Sequence, residues 1–427
     1  MNGFIRRPLA DWLLRQGTAP VLIVEGARAV GKTTMARRQL ERDGGYHYAT
    51  LADQATWRRA AADPAAWLRS LPLPSVIDEA QLLPELPLVL KEHVDQLGAG
   101  QHFVLTGSAS INRKGLGGSD PLARRAQRRV MHPLTRRELA AVPGSLVDDL
   151  FEAEPVLGRT EQAADAELLD QLRTGGLPPY ATRRPALTKA QLRDRVSSDL
   201  TGLLADQVVP GLDYNVPKAR AALDALLCGP GGIFNASALA GRLEINKATV
   251  ERYLGVFGRL FLLQWLPNLA TPPRRQDFAR AKVHPFDTSF AVDALERAGV
   301  DVLAQREFFG QVLESHVVAE VVAAAGWAES AVLPYYWRRA SSTSPEVDLV
   351  LLDQSGRAVA IEVKASSSVD QWDLRGIRAF GRDRTLHRGF VFYRGDEALR
   401  LDADVWALPF SALERATAFA RASPDAA

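Results

Sequence analysis

Lysine and threonine behind spaced glycines, with a carboxylate pair at a later strand end, are residue types that handle phosphate esters and divalent cations. The first set is Gly26, Ala27, Arg28, Ala29, Val30, Gly31, Lys32, Thr33 and Thr34. It follows the apolar run Val21 to Val24 and precedes a helical pattern. Gly26 and Gly31 permit backbone angles that a side chain would obstruct, so successive amides can turn toward a β-phosphate. The positive end of the following helix adds to that field. Lys32 is then placed for the β- and γ-phosphates, and the Thr33 hydroxyl for a Mg²⁺ shell. The carboxylates are Asp78 and Glu79, after the short apolar strand Ser75 to Ile77. Asp78 is expected to hold Mg²⁺ through water, and Glu79 to polarise the attacking water. ATP and Mg²⁺ are the expected cofactors, with ATP hydrolysis the expected reaction.

A third strand, His102 to Ser108, ends in two hydroxyls, Thr106 and Ser108. These either sense the γ-phosphate or act as local caps. A basic run follows: Arg113, Lys114, Arg124, Arg125, Arg128, Arg129, Arg136 and Arg137. An arginine finger on bound ATP, a nucleic-acid patch and a solvated face compete here, and Arg125 is the candidate finger.

A second constellation lies in the last third. The strand Glu346 to Leu352 carries Asp348, a Ser355-Gly356 turn follows, and the next strand carries Glu362 and Lys364. Side chains alternate along a strand, so Glu362 and Lys364 leave one face while Ile361 and Val363 leave the other. A hairpin brings Asp348 beside them. Two carboxylates and a lysine at strand centres suit a Mg²⁺ ion, with Lys364 beside the hydrolytic water; a cross-strand salt bridge without metal is the plainer alternative.

The elements that must position these groups are legible in outline. Leu9 to Leu14 is a short helix ahead of the first strand, and Leu86 to Leu97 is a covering helix. Residues 141–216 are linker-like, broken at Gly175-Gly176-Leu177-Pro178. From 217 to 268 the order is helix, helix capped by Asn235, turn, helix Lys247 to Leu254, then strand material from Gly258. That is the winged helix-turn-helix order, in which Asn246, Lys247, Thr249 and Arg252 would face a DNA groove. Such domains also serve as protein–protein braces. A long helix, Gly310 to Ala325, carries Glu314, and the tail beyond Thr417 is expected to fray.

The 427 residues suffice for two to four domains, and a net charge of +2 confines any nucleic-acid surface to a local patch. A single cysteine, Cys228, excludes an internal disulfide. No apolar run approaches the ~20 residues of a membrane span, and the N-terminus lacks a signal-peptide pattern, so a cytoplasmic location is expected.

The ordered segments GARAVGKTT, VIDEAQLLPELPLVLKEHVD, FVLTGSASI and PLARRAQRRVMHPLTRREL resemble a prokaryotic AAA-type ATPase family whose members carry a second domain at the C-terminus. Ala27 and Ala29 stand where the family has Pro and Gln, and Ala123-Arg124-Arg125 where it has Ala-Gly-Arg. Gly175 to Pro178 resembles the family's junction. Lys282 to Ser289 resembles its Lys-x-Tyr-x-x-Asp-Thr-Gly segment, with Ser289 in place of Gly. Asp348, Glu362 and Lys364 resemble the Asp…Glu-x-Lys signature of the restriction-endonuclease-like fold, with Glu314 suiting its remaining acidic position and joining Asp348 and Glu362 as metal ligand. The implied fold class is α/β: a P-loop NTPase domain (1–140), a helical linker (141–216), a winged helix (217–268) and a restriction-endonuclease-like domain (282–412). The implied function is a Mg²⁺-dependent AAA-type ATPase acting on DNA, as a homo-oligomer or with a protein partner. The alternative is a nucleotide-gated DNA- or protein-binding module with an inactive nuclease fold, in a toxin–antitoxin or defence pair.

Overall fold

A computed structural model describes residues 4–98, 100–108, 120–161, 163–183, 186–206, 214–271, 280–339 and 344–420. Arg113 and Lys114, most of the Pro/Arg-rich connector (272–279) and residues 421–427 lie outside these. The chain divides into two compact units, residues 1–134 with Arg259–Phe261, and the remainder.

In the first unit, Pro8–Gln16 (α1) precedes Val21–Glu25 (β1), whose residues are all buried. Lys32–Met35 (α2) continues through the π-helical turn Ala36–Glu41. His47–Thr50 (β2), Gln54–Ala62 (α3), Pro64–Ser70 (α4), Ser75–Asp78 (β3), Leu86–Leu97 (α5), Phe103–Gly107 (β4) and Ala126–Val130 (β5) follow. The five strands form one parallel sheet in the order β2-β3-β4-β1-β5. Strands covered on both faces need apolar side chains on both, which is why Val21 to Val24 and Phe103 to Leu105 read as unbroken apolar runs. Because β4 lies between β1 and β3, the ends of all three meet at the start of α2. Ligands of such sheets sit outside the carboxyl ends of the strands.

The second unit begins with Arg136–Leu139 (α6), Leu146–Glu152 (α7), the two-residue strands Glu154–Pro155 (β6) and Gly158–Arg159 (β7), Asp165–Thr174 (α8), Pro178–Ala181 (α9) and Lys189–Ala205 (α10). Val216–Leu227 (α11), Gly232–Ile233 (β8), Ala236–Leu243 (α12), Lys247–Arg259 (α13), Leu263–Leu266 (β9) and Lys282–Pro285 (β10) come next. The three strands form an antiparallel sheet in the order β8-β10-β9. Strand material expected from Gly258 begins only at Leu263. Val256 and Phe257 extend the buried stripe of Val250, Tyr253 and Leu254, which keeps the chain helical to Arg259.

Thr288–Arg297 (α14) and Arg306–Ala325 (α15) lead into Val332–Arg338 (β11), Glu346–Asp353 (β12), Ala358–Lys364 (β13), Arg375–Asp383 (α16), Leu386–Tyr393 (β14), Glu397–Asp402 (β15) and Val405–Pro409 (β16). These strands and β7 form a seven-stranded mixed sheet, ordered β11-β12-β13-β14-β16-β15-β7. Leu349, Ile361, Phe390 and Trp406 face a core with α15, while Val350, Ala360 and Val391 face a second core with Ile377 and Phe380 of α16. By length and composition α15 could cross a membrane, yet 61% of its most apolar window is buried inside the protein. The tail does not fray at once. Phe419–Ala420 (β17) pairs antiparallel with β6, and Phe419 is buried.

The segment from β10 into α14 is fastened at its far end by Asp287. Its buried carboxylate accepts from the amides of Gly176 and Leu177 (2.9 Å each) and from the amide (2.9 Å) and hydroxyl (2.5 Å) of Ser289. Thr288 Oγ1 donates to the Leu172 carbonyl at 2.8 Å. Two segments that stood apart in the sequence are therefore one structural clasp.

Two buried groups on α15 set opposing pH dependences. Burial, assisted by Arg136, pulls His316 down to about 3, and burial pushes Glu320 up to about 8. Neutral His316 contributes stability that is complete above the unfolded value near 6.5 and is lost as pH falls toward 3. Protonated Glu320 contributes stability that is complete below about 4.5 and is lost as pH rises through 8. At pH 5 the His316 contribution should cost about 2 kcal/mol. His316→Asn should flatten the acid limb of a melting-temperature profile, and Glu320→Gln the limb between pH 6.5 and 8. Unchanged limbs would disprove the assignment.

Candidate functional site

The phosphate loop leaves β1 at its carboxyl end. Gly31 has φ of 105°, which L side chains rarely adopt, and it caps α2. Ala29 holds φ of 63° without being glycine, and Glu79 after β3 holds 56°. Left-handed non-glycine residues cost on the order of 1–3 kcal/mol and cluster at functional sites. Gly26, Ala27, Val30 and Lys32 are buried, whereas Arg28, Ala29, Thr33 and Thr34 are exposed. The Lys32 ammonium folds back onto the carbonyls of Gly26 and Ala27, 2.8 Å from each. Burial pulls it down to about 8, against the pull of Glu79 and Asp78. A phosphate group offers that ammonium the anionic partner two carbonyls lack.

Asp78 is 2% exposed and joins the three strand ends. It accepts from Thr33 Oγ1 at 2.7 Å, from Tyr48 Oη at 2.7 Å, and from Thr106 Oγ1. Glu79 accepts from Gln81 Nε2 and, at 3.3 Å, from Ser108 Oγ. Thr106 thus serves Asp78, and Ser108 serves Glu79. The residues fit a Mg²⁺–nucleotide: a hydroxyl beside a carboxylate, an ammonium without an anionic hydrogen-bond partner, and a second carboxylate held apart from the first. Tyr48 was not anticipated, because nothing local marks it; only the β2–β3 pairing brings it to Asp78. Arg125 is not brought to this site. It precedes β5 at the opposite end of the parallel strands and pairs with Asp95 through two contacts of 2.5 and 2.8 Å.

Residues 18–140 match the family described as an AAA domain. This part of the chain is similar to AAA-type P-loop ATPase domains. Residues 166–301 and 309–413 match two families described as domains of unknown function, DUF8612 and DUF4143. Over 398 residues the chain is 29% identical to the uncharacterized proteins Rv2008c of Mycobacterium tuberculosis and Mb2031c of Mycobacterium bovis, covering 92% of this chain and 80% of each relative. Among solved structures, the Walker-type ATPase PABY2304 of Pyrococcus abyssi is similar at a TM-score of 0.41 and 13% identity, covering 68% of this chain and 96% of that one. The ORC1 protein of Aeropyrum pernix, solved in complex with DNA, is similar at 0.28 and 15%, covering 70% and 94%.

In the second unit the β12–β13 hairpin brings Asp348, Glu362 and Lys364 into one cleft open to solvent, with Glu346, Asp373 and Arg375 also lining it. Asp348 Oδ2 accepts from the Val363 amide at 3.0 Å, and Lys364 lies 3.2 Å from Glu362. The sequence marked Lys282 as part of a family-like segment and not as a member of this cleft. Its ammonium, 3% exposed, lies 2.8 Å from Glu314, 3.1 Å from Asp348 and 2.5 Å from Glu346. Burial opposes its charge, yet Glu314, Asp348 and Glu346 outweigh burial and hold it above the ordinary lysine range. Burial also works against Asp348, but Lys282 and Lys364 keep it below the usual carboxylate range. Glu362 is pushed up by burial and then by Asp348. The expected metal ligands are thus shared between two lysines: Glu314 and Asp348 surround Lys282, and Glu362 holds Lys364. Among the described residues no group of three or more His, Cys, Asp or Glu is arranged to hold a metal. With Lys282 in place the cleft does not fit a divalent ion.

On α12 and α13, Asn246 is spent as a cap, its Oδ1 accepting from the Thr249 amide at 2.7 Å. Arg252 is half-buried and donates to Thr249 Oγ1 at 3.4 Å; Lys247 is exposed and 3.7 Å from Glu251.

Proposed function

We propose that the protein is a Mg²⁺-dependent ATPase whose second unit engages DNA. The observation that carries the ATPase reading is the 2.7 Å contact of Thr33 with Asp78, which joins the phosphate loop to the acid pair at neighbouring strand ends. Lys32 holds the β- and γ-phosphates, Thr33 and Asp78 hold Mg²⁺ in company with water, and Glu79, steered by Gln81 and Ser108, polarises the attacking water. Bound Mg²⁺ supplies charge for the transferring phosphoryl group. Arg125 faces away from its own phosphate loop, so a finger role requires a neighbouring copy and a homo-oligomer. Steady-state ATP hydrolysis with Mg²⁺ and with excess chelator tests the reading; equal rates would reject it.

The DNA reading is supported by topology. The helix, strand, two helices and three-stranded sheet ordered β8-β10-β9 follow an element order that supports a winged-helix reading, and the element order of α15 through β14 supports a restriction-endonuclease-like one. Of the groove-facing set, Asn246 and Lys247 are exposed, joined by Arg242 on α12. Duplex binding should weaken with salt at a slope of about −0.9 per phosphate contact, and Lys247→Ala should reduce that slope by about one such increment. Salt-independent retention on a DNA column would reject this surface and favour the protein-binding alternative.

A further inference from the structure

Three carboxylates converge on one ammonium in the second unit. They come from separate places: Glu314 from α15, and Glu346 and Asp348 from β12. The Lys282 ammonium donates to Glu314 at 2.8 Å and to Asp348 at 3.1 Å, and the Glu346 carboxylate stands 2.5 Å away as a third anionic neighbour. Mg²⁺ at the same point would need oxygen ligands at about 2.0–2.1 Å in octahedral order, in the volume the amine fills. The lysine is not free to swing aside. It is 3% exposed, its strand is paired on both sides by β8 and β9, and Asp287 clasps the segment's other end.

Its position also explains a division within the cleft. Lys364 stands with Glu362, while Asp348 is turned between the Val363 amide and Lys282. The restriction-endonuclease-like pattern of Asp348, Glu362 and Lys364 is complete in residue type, yet each of its carboxylates already has a lysine ammonium beside it.

We propose that Lys282 is a built-in cation that replaces the divalent metal at this acid cleft, so that the second unit takes up no metal there while Lys282 is seated. The hairpin carboxylates then form a latent cation site with a side-chain occupant. Removing that occupant leaves closely spaced carboxylates with one cation fewer, and relief of their repulsion then draws in a metal ion. This inference rests on the cleft alone and stands or falls separately from the ATPase and DNA readings.

The test uses the full chain without nucleotide and Mn²⁺ alone as the probe, counting free Mn²⁺ by its paramagnetic resonance amplitude. Wild type and Asp348→Asn should give superimposable Mn²⁺ titrations, since Asp348 holds no metal in either. Lys282→Met should gain one Mn²⁺ per chain, bound at least about tenfold more tightly than any Mn²⁺ in wild type, with a higher melting temperature in Mn²⁺ than without it. Adding Asp348→Asn to Lys282→Met should abolish that gain. A wild-type Mn²⁺ site that vanishes in Asp348→Asn overturns the proposal. So does a folded Lys282→Met that gains no ion. If Lys282→Met does not fold, the wild-type and Asp348→Asn comparison decides alone.

Discussion

Lys32→Ala is expected to leave the protein unable to retain ATP, while Glu79→Gln binds ATP normally and turns it over at least about a hundredfold more slowly. The two effects separate because the two side chains meet different parts of the reaction. Lys32 is buried and donates to the loop's own carbonyls, and in the proposed mechanism its charge would meet the phosphates in the ground state. Glu79 lies beyond Asp78, held by Gln81 and Ser108, and in the same mechanism would act when water is activated. Filter-bound nucleotide at saturation and single-turnover hydrolysis measure the two separately. If Glu79→Gln lost affinity while each bound ATP was still cleaved at the native rate, the roles given to Asp78 and Glu79 would have to be exchanged.

Gly175→Ala should be among the most destabilising single changes in the second unit, by about 3–5 kcal/mol. Two mechanisms add. Gly175 has φ of 63°, and a Cβ there would overlap the Asp287 carboxylate. Displacing that carboxylate strands the amides of Gly176 and Leu177, each worth about 1–3 kcal/mol when buried without a partner. Asp287→Ala should approach the same loss by removing the acceptor, and Asp287→Asn should lose less, since one amide oxygen can still accept. Urea midpoints measure the series. A Gly175→Ala protein with a native midpoint would mean that the clasp carries no stability.

The candidate nucleotide site was legible because its parts are contiguous. Gly26 to Thr34 supply loop, ammonium and hydroxyl within nine successive positions, and Asp78-Glu79 end a strand whose apolar run announces it. What escaped notice arrives through pairing at a distance. Tyr48 reaches Asp78 across 30 positions and Lys282 reaches Asp348 across 66. The resemblance marked Lys282 and Asp287 as a segment without saying what they touch. Sequence periodicity also placed the helix Leu86 to Leu97 correctly but ended α13 early, because an apolar stripe passing into a strand shows no break in hydrophobicity. Charge pattern alone could not show that Asn246, though exposed, caps its own helix.

The stretch from Lys282 to Asp287 has a mechanical consequence. It spans about 17 Å if fully extended, at about 3.3 Å per residue, and its two ends are anchored in different surroundings. One end is an ammonium set among carboxylates; the other is a carboxylate set among amides. The strand Lys282–Pro285 and the bend at 286–287 join the two anchors over six residues, so the carboxylate-lined end and the amide-lined end are covalently close. A substitution that unseats either end is felt within a few bonds of the other.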